Sequence, residues 1–382
     1  MKHKIVIIGG GIAGMATAAG LLKNGIECVV FEAASSFQTV GAGIGLSFNA
    51  VRACQQLGMA DELKQKGKII YEAWITDEKG SLLTKIDYSK YLDFFKEASV
   101  LIKRYELHET LLQKVGTERI IPGKKVKSFY QHNDGVSLIF EDGDQCEASV
   151  VIAADGIHSI FRKFIIPQAV PRFAGYTCWR GLGKLPDSYP HKEVFIESWG
   201  CGSRWGIVPL KNDDVYWYAV TRSKERDITM KTADKEFILH IFNNWKSEFL
   251  EVFKNIPASK LIHNDIYDIE PLDRFAYGNI LLIGDAAHAT TPDLGQGGSQ
   301  ALEDAVVLSN LLKQHHNYQH AFREFEKIRI PRTTKVIHTS RNMARIGQLS
   351  FRPLIPLRNF LMKHTPEKYS INQLKWLTKT PF

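Results

Sequence analysis

The apolar pattern begins at Lys4-Ile5-Val6-Ile7-Ile8, a run too short for a helix and continuous in the way of a strand buried on both faces. Three glycines interrupt it. Met15 to Leu22 then reads as an alanine-rich helix stopping at Asn24-Gly25, a good C-terminal signal. Glu27-Cys28-Val29-Val30-Phe31 is a second strand, closed by Glu32. The three pieces make a strand–helix–strand unit of about 30 residues. Downstream, 69–88 alternates as a hairpin turning at Glu78-Lys79-Gly80, and 104–115 carries helical spacing. Residues 135–156 read as a hairpin feeding a buried strand, Val150 to Ala154, which ends in Asp155-Gly156. From about 172 to 270 the chain is β-rich and aromatic, and helical spacing returns after Gly297.

This order predicts an α/β fold: a Rossmann-like nucleotide domain, an inserted and mostly antiparallel β-sheet domain, and a C-terminal helical tail. The nucleotide domain is expected to be discontinuous, over 1–70, 101–171 and 271–334. The sheet domain takes 71–100 and 172–270, and the tail 335–382.

Composition changes this picture little. With 44% hydrophobic and 24% charged residues the chain is of ordinary globular type. The five cysteines are scattered and form no CxxC pair, which argues against a disulfide scaffold or zinc site and suits a reducing cytoplasm. The basic, apolar start resembles a signal peptide only superficially, because its glycines would break the apolar core. The net charge of +8 resides in the tail, where 335–382 holds nine Lys/Arg against one acid, Glu367. The rest of the chain balances, so no basic nucleic-acid face is expected. Tail helices packed on the body are the plain reading; contact with a membrane surface is the alternative.

Gly9-Gly10-Gly11-Ile12-Ala13-Gly14 matches GxGxxG between strand and helix, with Glu32 placed to accept from a ribose diol. Gly9 allows the turn, Gly11 lets backbone approach a pyrophosphate, and Gly14 lets helix pack on strand. The helix N-terminus at Ile12 and Ala13 favours phosphate. The motif does not separate NAD from FAD, and Ala33-Ala34 offers no arginine for a 2′-phosphate. A second constellation lies some 270 residues on. Ile280-Leu281-Leu282-Ile283 runs into Gly284-Asp285, followed by Gly295, Gln296, Gly297 and Gly298 at the start of another helix. Asp285 suits the hydroxyls of a flavin's sugar chain. The helix start suits the ring edge where negative charge develops on reduction. Asp285 and His288 are too few for a metal site, and His288 reads as structural.

With both constellations the chain resembles the class A flavoprotein monooxygenases, the aromatic-hydroxylase family, over about residues 4 to 345. "GGGIAG" with Glu32, "AADGIHSIFR" at 153–162 and "LIGDAAHATTPDLGQGGSQALEDA" match its three motifs in order. The resemblance implies FAD as cofactor, with NAD(P)H a transient co-substrate. It places Asp155 and Arg162 near the pyrophosphate, Arg104 on the flavin, and carries Gly43, Val126 and Pro292 to the cofactor. It also implies transfer of oxygen from a flavin C4a-hydroperoxide to an aromatic or conjugated small molecule, by hydroxylation or epoxidation. The motifs lean towards the urate, salicylate and hydroxybenzoate hydroxylases and zeaxanthin epoxidase. Arg204 and Tyr216 fall where the urate enzymes keep a substrate-activating arginine and tyrosine, so both are the expected catalytic residues. Cys178 replaces a substrate-binding asparagine, which implies a different, more apolar ring. Trp179, Trp199, Trp205, Tyr216, Trp217 and Tyr218 are expected to wall the substrate chamber, although Tyr216 alternates with Trp217 and only one of the two can face it. A flavin oxidoreductase without oxygen insertion and a non-catalytic flavoprotein are the alternatives.

Overall fold

The computed structural model describes residues 2–37 and 42–382. Among these, the strand Lys2–Ile8 forms the heart of an eight-stranded sheet. It pairs in parallel with Gln145–Ala153 on one side and Val29–Phe31 on the other. Ile280–Leu282 extends the parallel set beyond Gln145–Ala153. Burial on both faces explains the unbroken apolar runs in these strands. Helices Ile12–Lys23 and Gly297–Gln314 pack together over this sheet. The antiparallel hairpin of Val126–His132 and Gly135–Phe140 pairs with the first half of the interior strand Gln145–Ala153.

A seven-stranded sheet is built from two separate parts of the chain. Glu72–Asp77 and Leu82–Asp87 form a hairpin that joins the strands between 172 and 268 through a parallel pairing with Val194–Trp199. A small sheet of Gly43–Leu46, Ser99–Lys103 and Lys68–Ile70 lies between the two large ones. The helix Arg104–Val115 starts where periodicity places it. The tail is not a separate unit, because helix Tyr318–Gly347 runs continuously through the boundary at 335. Helices Ile355–His364 and Glu367–Thr378 follow. None of the helices among the described residues is long and apolar enough to cross a membrane.

The expected aromatic wall is corrected by strand alternation. Trp179, Trp205 and Trp217 share the face covered by helices Lys235–Ile241 and Ser247–Lys254, and are wholly buried. Trp205 meets Phe242 at 4.9 Å and Trp217 meets Phe253 at 4.3 Å. These rings are core. Trp199 lies at the sheet's end beneath the Arg358 guanidinium. Tyr216 and Tyr218, one position out of phase with Trp217, face the nucleotide domain with their rings 5.7 Å apart.

Candidate active site

The glycine loop is closed by contacts no side chain could allow. A Cβ on Gly14 would stand 1.9 Å from the Gly9 carbonyl oxygen. Gly9, at φ +107°, passes so close to Ala154 that a Cβ would lie 2.4 Å from that carbonyl oxygen. Gly11 differs: no other part of the protein comes within 4 Å of where its Cβ would be, and it caps the N-terminus of the helix Ile12–Lys23. The loop thus presents open backbone at the helix end, where a pyrophosphate would be held. Glu32 stands at the end of Val29–Phe31, its carboxylate accepting from the N–H groups of Gly10 at 2.6 Å and Ala34 at 2.8 Å. The lone pairs left over can take ribose hydroxyls. His108, which motif matching overlooked, grips the loop from the other side, its Nε2 2.6 Å from the Gly10 carbonyl oxygen. Val126 is buried at the start of its strand, two residues after Lys124 bonds the Glu32 carbonyl.

The second constellation is joined to the first by Gly284. Its φ of +56° and a 2.6 Å approach of its would-be Cβ to Ala13 bring the end of Ile280–Leu282 against the first helix. Asp285 follows and is exposed to the cleft between them, though walled by protein. Burial pushes its carboxyl up, opposed by the positive charge of His288, Arg104 and Arg162. Asp155 is also pushed up by burial, against bonds from Ser159 and the Ile160 N–H. Its Oδ1 is buried and has no partner, a vacant acceptor for a ligand hydroxyl or for water. Arg162, which the resemblance places near the pyrophosphate, turns its guanidinium to backbone carbonyls. Its guanidinium donates to the carbonyls of Ala169, Ala286, Asp285 and Ile157, so it braces the Asp285 turn from behind.

Gly297 and Gly298 open the helix Gly297–Gln314, and Gly298 lets it close on Ile44, whose Cδ1 would be 2.7 Å from an added Cβ. Gly295 adopts φ +64°, and Pro292 begins the exposed turn before it. The Gln296 side chain points inward, bonding Ser47, Asn49 and Gln300, so only its backbone is free for a cofactor. Behind it lies a buried polar network unsuspected from sequence. Arg329, fully buried, donates to Asp304 at 2.7 Å, to Glu303 and to Gln300. Asp304 also holds the Gly284 N–H at 2.8 Å and His288 Nε2 at 2.6 Å, so His288 is structural.

Across the cleft, the seven-stranded sheet presents Tyr176, Cys178, Arg180 and Leu182 from one strand and Tyr216 and Tyr218 from its neighbour. Tyr216 packs so tightly on Gly43 that a Cβ there would lie 2.5 Å away. The segment holding Gly43 lies partly outside the described residues, at Val40-Gly41. Arg204 is 3% exposed and does not reach out freely. Its Nη2 donates to Asp293 Oδ1 at 2.6 Å and its Nη1 lies 3.4 Å from Glu197. Burial opposes its charge, but these two acids more than restore it and hold its pKa up. Tyr176 donates to the other oxygen of Asp293 and Tyr218 to Glu197. Arg180, beside the Tyr216 hydroxyl on the same face, has no carboxylate partner among the described residues. One nitrogen donates to Asn264 at 3.1 Å and its buried Nε has no partner. Burial pushes the Tyr216 hydroxyl pKa up, with Cys178 adding and Arg180 opposing. Arg104 feels both Asp285 and Arg180, so the Asp285 cleft and the Tyr216 face of the seven-stranded sheet come together near that residue. Arg180 was legible in principle, since Trp179 in the core puts Cys178 and Arg180 on the opposite face.

A family model described as "FAD binding domain" matches residues 2–340. The chain belongs to this family. It is 32% identical to aurachin C monooxygenase/isomerase from Stigmatella aurantiaca, over 90% of this chain and 89% of that one. It is 31% identical to FAD-dependent urate hydroxylase from Klebsiella oxytoca, over 88% of each. The crystal structure of Klebsiella pneumoniae HpxO complexed with FAD and uric acid superposes with a TM-score of 0.92 at 27% identity, covering 100% of this chain and 97% of that one. The protein is accordingly an FAD-dependent oxidoreductase of the monooxygenase type. Open backbone at Gly11, the free Asp155 oxygen and the exposed Asp285 carboxylate fit the group this family binds.

Proposed function

We propose that the protein hydroxylates an electron-rich aromatic or conjugated small molecule bearing an ionisable ring oxygen or nitrogen, using NAD(P)H and O2. The observation behind this reading is that the Arg180 guanidinium meets no carboxylate among the described residues, whereas Arg204, whose Nε is equally without a partner, is neutralised by Asp293 and Glu197. FAD, when bound, supplies the redox chemistry that draws electrons from NAD(P)H and delivers an oxygen atom from O2. The chain holds it through the Gly9–Gly14 loop, Glu32, Asp155, Asp285 and the Gly295–Gly298 turn, with Arg104 alongside.

Arg180 would hold the substrate as its anion, which is the stronger nucleophile towards an electrophilic oxygen. Tyr216 would stay protonated and donate to the same ring. Leu182, Val208 and Phe195 would line the apolar side and exclude water. Cys178, 5% exposed, offers only a weak donor in place of an amide, so ring recognition rests on Arg180 and Tyr216. The test is a panel of phenols and hydroxylated heteroaromatics scored by stimulated NAD(P)H oxidation and by label from O2 in the product. With a responding substrate, Arg180→Gln is expected to lower kcat/KM about tenfold or more with flavin content unchanged. Turnover without oxygen would show a flavin oxidoreductase instead, and an unaltered Arg180→Gln enzyme would remove this residue from substrate recognition.

A further inference from the structure

The helix Ile355–His364 is attached inside out. Its buried side is anchored by Arg358, 6% exposed, which donates to the carbonyls of Trp199 and Gly200 at 3.1 Å each and stacks 5.7 Å from the Trp199 ring. Its outer side carries apolar groups: Leu354, Leu357, Phe360 and Leu361, continued by Phe351, are 43–62% exposed. A surface helix normally turns that stripe to the core, and a cluster of this size marks a contact site. Leu82 is exposed beside Lys363, in a cleft lined by residues of both segments, and widens the patch.

Charge decides the occupant. Residues 345–364 contain no acid, and exposed Arg345, Arg352 and Lys363 rim the patch, with Lys368 beyond. A second copy meeting this face symmetrically would bring those cations against their own counterparts. An anionic surface would match them. Ten residues are too few to cross a bilayer, but Phe and Leu among Lys and Arg are the composition of helices that lie in the headgroup layer. The segment is rooted to the sheet, with Gly202 N–H bonding the Leu349 carbonyl at 2.8 Å and Cys201 the Ser350 carbonyl at 3.2 Å. It is thus tied to the strands that carry the substrate face.

We propose that the face formed by residues 345–364 docks the enzyme peripherally on an anionic lipid bilayer. The test is flotation of the full-length, flavin-loaded protein with vesicles of phosphatidylcholine alone and of equal parts phosphatidylcholine and phosphatidylglycerol. Binding is expected only to the second and is expected to weaken with salt. Arg352→Gln and Lys363→Gln are each expected to weaken it about fivefold. Leu357→Ser combined with Phe360→Ser is expected to abolish it while leaving flavin content and turnover in solution unchanged, since both side chains are solvent-facing. Failure to float with either vesicle overturns the proposal. So does a concentration-dependent dimer that the same double variant dissolves, which would make the occupant a second copy.

Discussion

Arg204 Nη2 and Asp293 Oδ1 lie 2.6 Å apart with both side chains essentially buried, and they join the strand Ser203–Pro209 to the turn Pro292–Leu294. Arg204, the expected substrate-activating residue, is also a buried tie between the seven-stranded sheet and the glycine turn beside the cofactor cleft. Removing one partner leaves the other charge buried and unmatched. Arg204→Gln is therefore expected to cost about 3–5 kcal/mol of stability, read as a large fall in Tm. Turnover falls with it while FAD is still taken up, because none of the cofactor contacts is removed. An unchanged Tm would return Arg204 to a purely chemical role.

Gly11 and Gly14 separate cofactor approach from folding. Gly14→Ala drives a methyl into the Gly9 carbonyl and is expected to cost about 1–3 kcal/mol as well as flavin retention. Gly11→Ala meets no other part of the protein and sits at a φ of −73° that alanine adopts readily. Its Tm without flavin should match the parent, while flavin retention falls. Calorimetry of the flavin-free proteins beside flavin fluorescence titration checks both; equal flavin affinity in Gly11→Ala would place the pyrophosphate elsewhere.

The Asp304 network sets an acid limit. Burial favours the neutral carboxyl, but His288 and Arg329 outweigh it and bring the Asp304 pKa down to about 2. An unfolded aspartate titrates near ~3.9. The sign follows: the stabilisation is complete above the unfolded value and is lost as pH falls from about 4 through about 2. Asp304→Asn is expected to remove this acid limb and to destabilise at neutral pH, leaving Arg329 and His288 short of a charge partner. Urea unfolding from pH 2 to 7 measures it.

Asp285 has the opposite sign. Its folded pKa is raised, so ionising it costs the flavin-free protein stability as pH rises above the unfolded carboxylate value. Asp285→Asn is expected to stabilise the flavin-free protein at pH 7 yet weaken FAD binding, because an acceptor for the sugar hydroxyls becomes in part a donor. In the parent, FAD affinity is expected to fall on acidification from a pH above the ordinary aspartate range. Thermal melts and FAD titrations of the two proteins across pH would show both; a destabilised Asp285→Asn would mean the carboxylate is already satisfied.

How far residue patterns reach is clear from particular elements. The turn at Gly9–Gly14, the helix Arg104–Val115 and the hairpin at 69–88 were legible because glycine sterics, helical spacing and strand alternation act over a few residues. Matching three motifs in order also identified the cofactor. Alternation separated Trp217 from Tyr216 and Tyr218 but could not say which of the two faces is covered by helices. Trp205 and Trp217 went to the helix-covered side because Phe242 and Phe253 complete that core, which left Tyr216 and Tyr218 for the cleft.

By itself, then, the amino-acid sequence determined the nucleotide-binding architecture and the group it accepts, since those depend on local backbone freedom at a few glycines and acids. Tertiary structure alone decided which arginine of that sheet is paired to acids. Asp293 lies 89 residues beyond Arg204 and reaches it only once the sheet and the turn have docked. A buried charge is defined by its partners, and partners that distant are chosen by packing.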